Sequence, residues 1–237
     1  MFGFHIDPMY FLFIIPGLLL GMWAQWKVKS AYSHASQIPS RRGMTGADVA
    51  RAILDAEGVP GVRVEPTQGF LSDHYHPIEK ALRLSEQNYH DHSLAAVGVA
   101  AHEVGHAIQH ARGYLPLMAR SALVPLCQIG SFVGQLALGL GVLLLFASPA
   151  LGKTVLFWGI VGYAVVFLFT LITVPVEYNA SSRALAVLSD QGIVAVDELP
   201  EVKRVLDAAA LTYVAATVSV LLQLLYLISL YNRAREE

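Results

Sequence analysis

The chain has 237 residues, of which 55% are hydrophobic and only 14% charged, with a mean hydropathy of +0.51. Soluble domains carry about 25% charged residues, so this composition lacks the polar shell that an all-soluble fold requires. A net charge of −2 supplies no basic footprint for nucleic acid, and a single cysteine, Cys127, excludes an internal disulfide framework.

The first predicted element is an apolar stretch, Tyr10–Trp26, free of Lys, Arg, Asp and Glu. It approaches the roughly 20 residues that cross a bilayer. No basic residue precedes it and no small-residue cleavage site follows, so it reads as a retained anchor rather than a signal peptide. Trp23 and Trp26 fall where an interfacial aromatic belt lies. Beyond it, Thr45-Gly-Ala-Asp48 has the pattern of a helix N-cap with an acidic third position. Val49, Ile53 and Leu54 form the apolar stripe of that helix, and Gly58 and Pro60 stop it. Three short strand-like runs follow, Val62–Glu65, Asp73–Tyr75 and Ala81–Ser85, punctuated by Gly69 and Pro77.

From Ser93 the sequence SLAAVGVAAHEVGHAIQHARG predicts a helix of about five turns, capped by Ser93 and ended near Gly113. Residues four apart share a helix face, so His102 and His106 point the same way. Two imidazoles at that separation can grip one zinc ion and leave room for water. Glu103, one residue along, can act on that water as general base. The bland alternative is a polar helix face with solvated histidines. Catalytic zinc takes three protein ligands, so a third is sought. His110 continues the stripe, but three ligands on successive turns span about 12 Å, too far for bonds of about 2.1 Å. It fits better as a surface, supporting or substrate-side group. His90 and His92 flank Asp91 ahead of the helix, and a polar turn explains them better than a second metal site.

Two further apolar spans follow, Leu123–Phe146 and Thr154–Val176, and the last is Ala208–Tyr231. Glu177 comes directly after the third span in VPVEYNASSRA, where Pro175 is expected to break the incoming helix. It is the favoured third ligand, against the alternative of an interfacial helix cap. Arg183, close by, is a candidate either to steady an oxyanion or to pair with Glu177. Lys27, Lys29, Arg41, Arg42, Arg112, Arg120, Arg183, Lys203 and Arg204 all lie in the loops 27–122 and 177–207. The positive-inside bias puts both loops in the cytoplasm and both termini outside.

Three blocks in order, LSDHYHPIEKALRLS, AAVGVAAHEVGHAIQHA and VEYNASSRA, make the chain resemble the bacterial neutral zinc metallopeptidases, the YugP-like membrane proteases. The resemblance covers nearly the whole chain. It departs from the usual DHYDP at His76, which stands where the family has Asp. The layout is also similar to the membrane zinc proteases related to CAAX-processing and heat-shock-induced enzymes. Those carry a carboxylate four residues after the ligand Glu, where this chain has Ser181; Asn179 is an alternative orienting group. By family analogy, Ala81–Ser85 is expected to offer the sheet edge on which an extended peptide pairs.

The expectation is therefore a mainly α, four-span integral membrane protein with a zincin-like cytoplasmic catalytic region that contains a small β-sheet or hairpin. Its parts would be an anchor (1–26), a catalytic region (27–122), a transmembrane hairpin (123–176), a segment with the third ligand (177–207) and a final span and tail (208–237). Zn²⁺ would be held by His102, His106 and Glu177, with Glu103 and Arg183 as catalytic groups. The partners expected are a protein or peptide substrate, the lipid bilayer of the bacterial cell membrane, and either a second copy or another membrane protein. The rival reading is a non-catalytic membrane adaptor or assembly subunit with structural zinc.

Overall fold

The structure, a computed structural model, describes residues 8–236; the first seven residues of the expected anchor and Glu237 of the tail lie outside the described residues. It is mainly helical, and four helical stretches are long and apolar enough to cross a membrane: Pro8–Ala35, Leu115–Ala147, Pro149–Asp190 and Leu199–Arg235. The chain divides into two compact units.

One unit comprises residues up to Trp23, Ala119–Thr173 and Tyr213 onward. It draws on α1 (Pro8–Ala35), α5 (Leu115–Leu136), a π-helical turn (Ala137–Gly141), α6 (Val142–Ala147), α7 (Pro149–Asp190) and α8 (Leu199–Glu236). Helices in lipid gain nothing from hiding apolar surface from water, so they associate through close backbone approach at small residues. A Cβ on Gly130 would come within 2.6 Å of the Gly162 carbonyl oxygen, and one on Gly162 within 2.5 Å of that of Gly130. The Ser219 hydroxyl donates to the Gly17 carbonyl at 3.1 Å, joining α8 to α1. Phe11, Leu12, Leu18, Phe132 and Phe146 point outward, exposed, as lipid-facing side chains do.

The second unit, Ala24–Met118 with Val174–Thr212, has its own buried core around Ile53, Leu82, Leu84, Val97, Val104 and Leu188. Helix α2 (Gly46–Ala56) starts at a full capping box: Thr45 Oγ1 accepts from the Asp48 amide at 3.2 Å, and Asp48 accepts in return from the Thr45 amide at 3.3 Å. Its buried face, Val49, Ala50, Ile53 and Leu54, has the expected helical spacing. A three-stranded sheet follows, of β1 (Arg63–Thr67), β2 (His74–His76) and β3 (Ala81–Ser85), in the order β1-β3-β2. β3 runs parallel to β1, with Arg63 opposite Ala81, and antiparallel to β2, with Tyr75 opposite Leu82.

This order corrects the expected peptide-pairing edge. Ala81, Leu82, Leu84 and Ser85 are buried on both faces of β3, and such a strand belongs in the middle of a sheet. Its two sides are taken by β1 and β2, which form the edges among the described residues. After the short α3 (Glu86–His90), α4 (Leu94–Ala111) carries the HEVGH sequence, with Ser93 Oγ accepting from the Ala96 amide at 3.3 Å as its N-cap.

A second difference concerns Pro175. Helix α7 continues through it to Asp190. Proline removes one hydrogen bond inside a helix and costs about 3 kcal/mol there. Past it, Glu177, Ala180, Ser181, Ala184 and Leu188 form one buried stripe, and this packing outweighs the missing bond.

Candidate metal centre

In an 18-residue helix with buried Ala100, Ala101, Val104 and Ala107, the two histidines of HEVGH lie one turn apart on the face turned toward α7. Their rings meet edge to face with centroids 4.8 Å apart. Close approach of the two helices is possible because α4 has glycine at 105: a Cβ there would sit 2.5 Å from the Ala180 carbonyl oxygen. Glu177 and Ser181, flanking Ala180, are thereby carried up to the histidines.

His102 Nε2 lies 3.2 Å and His106 Nε2 lies 3.4 Å from the same oxygen, Oε2 of Glu177. One ligand atom from each of the three residues falls within 4.8 Å of the others. Tetrahedral zinc with bonds of about 2.1 Å keeps its ligand atoms about 3.4 Å apart, so this donor set fits a zinc ion. It is the one such grouping among the described residues. His110 is outside it: its Nδ1 is 2.9 Å from the Tyr75 hydroxyl on β2.

Electrostatics differ among the three carboxyl and imidazole groups. Burial opposes the charge on Glu177, which lies just beyond the apolar run 154–176. Hydrogen bonds from both histidines outweigh that, and its carboxyl is held well below the ordinary range. Burial also opposes the charged form of His106, but the hydrogen bond to Glu177 and the nearby Glu103 charge raise its pKa overall. Burial dominates at Glu103 and pushes its carboxyl up, despite the pull of His102 and His106. A buried carboxylate of raised basicity beside the donor set has the character of a general base.

The groups behind the histidines were only partly legible. Ser181 Oγ lies 3.1 Å from His102 Nδ1, so the group beside this ring is a hydroxyl. Gln109, which sequence reasoning missed, is fully buried and places Oε1 at 3.0 Å from His106 Nδ1. Its position three residues after His106 was the signal available, since such pairs are neighbours on a helix. Asn179 accepts from Gln109 Nε2 at 2.9 Å rather than reaching a histidine. Arg183 directs Nε to Asn179 Oδ1 at 2.8 Å and sets its guanidinium 5.9 Å from the Tyr114 ring centre.

In the block before the helix, Asp73 accepts from the Ser85 amide at 2.8 Å and from Asn88 Nδ2 at 2.9 Å, tying β2 to the end of β3. His76 Nδ1 accepts from the Glu79 amide at 3.2 Å. This bond engages the His76 imidazole in the turn after β2, outside the ligand group. His74 contacts the Ser72 carbonyl, His90 packs on Tyr89, and His92 lies 3.9 Å from Asp91.

Residues 10–232 match the family described as "Putative neutral zinc metallopeptidase". The chain belongs to this family. It is also similar to the "Putative membrane protease YugP" of Bacillus subtilis (strain 168), with 43% identity over 230 residues, 97% of this chain and 100% of that protein. No solved structure matches it.

Proposed function

We propose that this chain is a membrane-bound, gluzincin-like zinc endopeptidase that hydrolyses membrane or membrane-proximal proteins, with its site on the cytoplasmic side of a bacterial cell membrane. The observation that carries the reading is the convergence of His102, His106 and Glu177, from two helices, on one point beside a buried Glu103. Zinc, when bound, supplies Lewis acidity to the attacking water and the scissile carbonyl.

The chain's own residues do the rest. His102 Nε2, His106 Nε2 and the Glu177 carboxylate hold the ion. Glu103 accepts a proton from the water as its oxygen bonds to the peptide carbon. It then delivers that proton to the leaving amine as the C–N bond breaks. Arg183 acts on the site through Asn179. The adaptor reading is less well supported, because structural zinc sites use four protein ligands and have no use for a buried base alongside. Sidedness is supported by the basic loops 27–122 and 177–207.

The test is a matched pair of purified variants. Glu103→Gln should keep zinc and lose at least about 100-fold in rate, whereas Glu177→Ala should lose zinc and activity together. Undiminished cleavage by Glu103→Gln would overturn the assignment.

A further inference from the structure

The hydrogen-bond chain behind His106 has only one consistent arrangement of donors and acceptors. It starts at Arg183, whose Nε carries hydrogen and can only donate. The Asn179 atom facing it at 2.8 Å is therefore the amide oxygen. The same oxygen faces the Gln109 side chain at 2.9 Å, so the Gln109 atom there is the NH₂ nitrogen. A second contact demands the same answer, because that nitrogen also meets the Val176 backbone carbonyl at 2.8 Å, which can only accept. Gln109 is fully buried and cannot turn over without setting oxygen against oxygen twice. Its Oε1 is thus fixed toward His106 Nδ1 at 3.0 Å, and that nitrogen must carry the hydrogen.

We infer that Gln109 is a positioning residue that holds a hydrogen on His106 Nδ1, so that Nε2, which faces Glu177 in the metal-free protein, is the nitrogen that gives up its hydrogen to take the metal. The inference rests on the zinc-site reading above. A histidine ligates through a nitrogen without hydrogen, and the partner of its other nitrogen decides which one that is. The same side chain hydrogen-bonds the Val176 carbonyl on α7, one residue before Glu177. One amide therefore sets both the tautomer of a ligand on α4 and the register of the helix bearing the third ligand. Ser181 at His102 does neither, because a hydroxyl can donate or accept. The two histidines are held by different means.

The experiment uses the full chain in detergent with ¹⁵N-labelled histidine. The His106 Nδ1 shift is read in metal-free protein at a pH well above the ordinary histidine range, and zinc affinity is read by competition with a chromogenic chelator. Wild type should show a protonated Nδ1. Gln109→Met, which has no acceptor, should move the proton to Nε2, where Glu177 accepts it, and weaken zinc binding about 10- to 100-fold. Gln109→Glu retains an acceptor for His106 and should keep Nδ1 protonated, while its second oxygen, facing the Val176 carbonyl and Asn179 Oδ1, forfeits the contact with α7. A merely structural role would not separate these two variants by the nitrogen shift. An unprotonated Nδ1 in metal-free wild type overturns the inference without any variant. So does a Gln109→Met protein with wild-type shift and zinc affinity within twofold. If wild type fails to bind zinc through His102 and Glu177, the zinc-site reading fails instead, and the nitrogen shift still decides the role of Gln109.

Discussion

Replacing Gly105 with alanine tests whether the metal site depends on the contact between α4 and α7. By intrinsic propensity the change should help, since alanine is favoured over glycine inside a helix by about 1 kcal/mol. The tertiary contact reverses the sign. The new Cβ would lie 2.5 Å from the Ala180 carbonyl oxygen and 3.2 Å from its Cα, whereas ordinary contact begins near 3.4 Å. These are backbone atoms of a buried helix, so the helices must separate by about 0.9 Å to reach that distance. Gly105 lies between His102 and His106, and Ala180 between Glu177 and Ser181, so the separation falls directly on the ligand set. Metal–ligand distances tolerate about 0.2 Å. Zinc affinity should therefore fall at least about tenfold and peptidase activity by about 100-fold, the scale of a 1 Å misplacement. The assay is chelator competition on purified protein, with Gly98→Ala as the control. That Cβ meets Val202 Cγ1 at 2.9 Å, on α8 rather than on the helix that bears Glu177, so the adjustment falls away from the α4–α7 contact and zinc affinity should stay within twofold. A Gly105→Ala protein with wild-type zinc affinity would refute the claim that this approach assembles the site.

His110→Ala should leave zinc binding within twofold, since His110 is engaged with Tyr75 rather than the ligand group; loss of the metal would make it a ligand. In a Cys127→Ser background, a cysteine at Leu151 should react with an impermeant thiol reagent in intact cells and one at Gly69 should not, with the opposite pattern inverting the topology. A peptide substrate tethered to a membrane should be cleaved faster than the same peptide in solution, and equal rates would argue against a membrane-proximal substrate.

Much of this protein was legible one helical turn at a time. The capping box of Thr45 and Asp48, the Ser93 cap and the shared face of His102 and His106 depend on residues three or four apart. Their geometry follows from the 3.6-residue period alone. The four apolar stretches were legible for a similar reason, because length and the absence of charge suffice to propose a span. Other features depended on partners far along the chain. β3 looked like a sheet edge until β1 and β2 took both its sides. Pro175 looked like a helix break until the packing of Glu177, Ala180, Ala184 and Leu188 kept α7 continuous. Gln109 had no visible role until α7 brought Val176 and Asn179 to its amide, 67 and 70 residues away in sequence. A local pattern specifies which way a side chain leaves its own helix; only the packing of the second helix decides what that side chain meets.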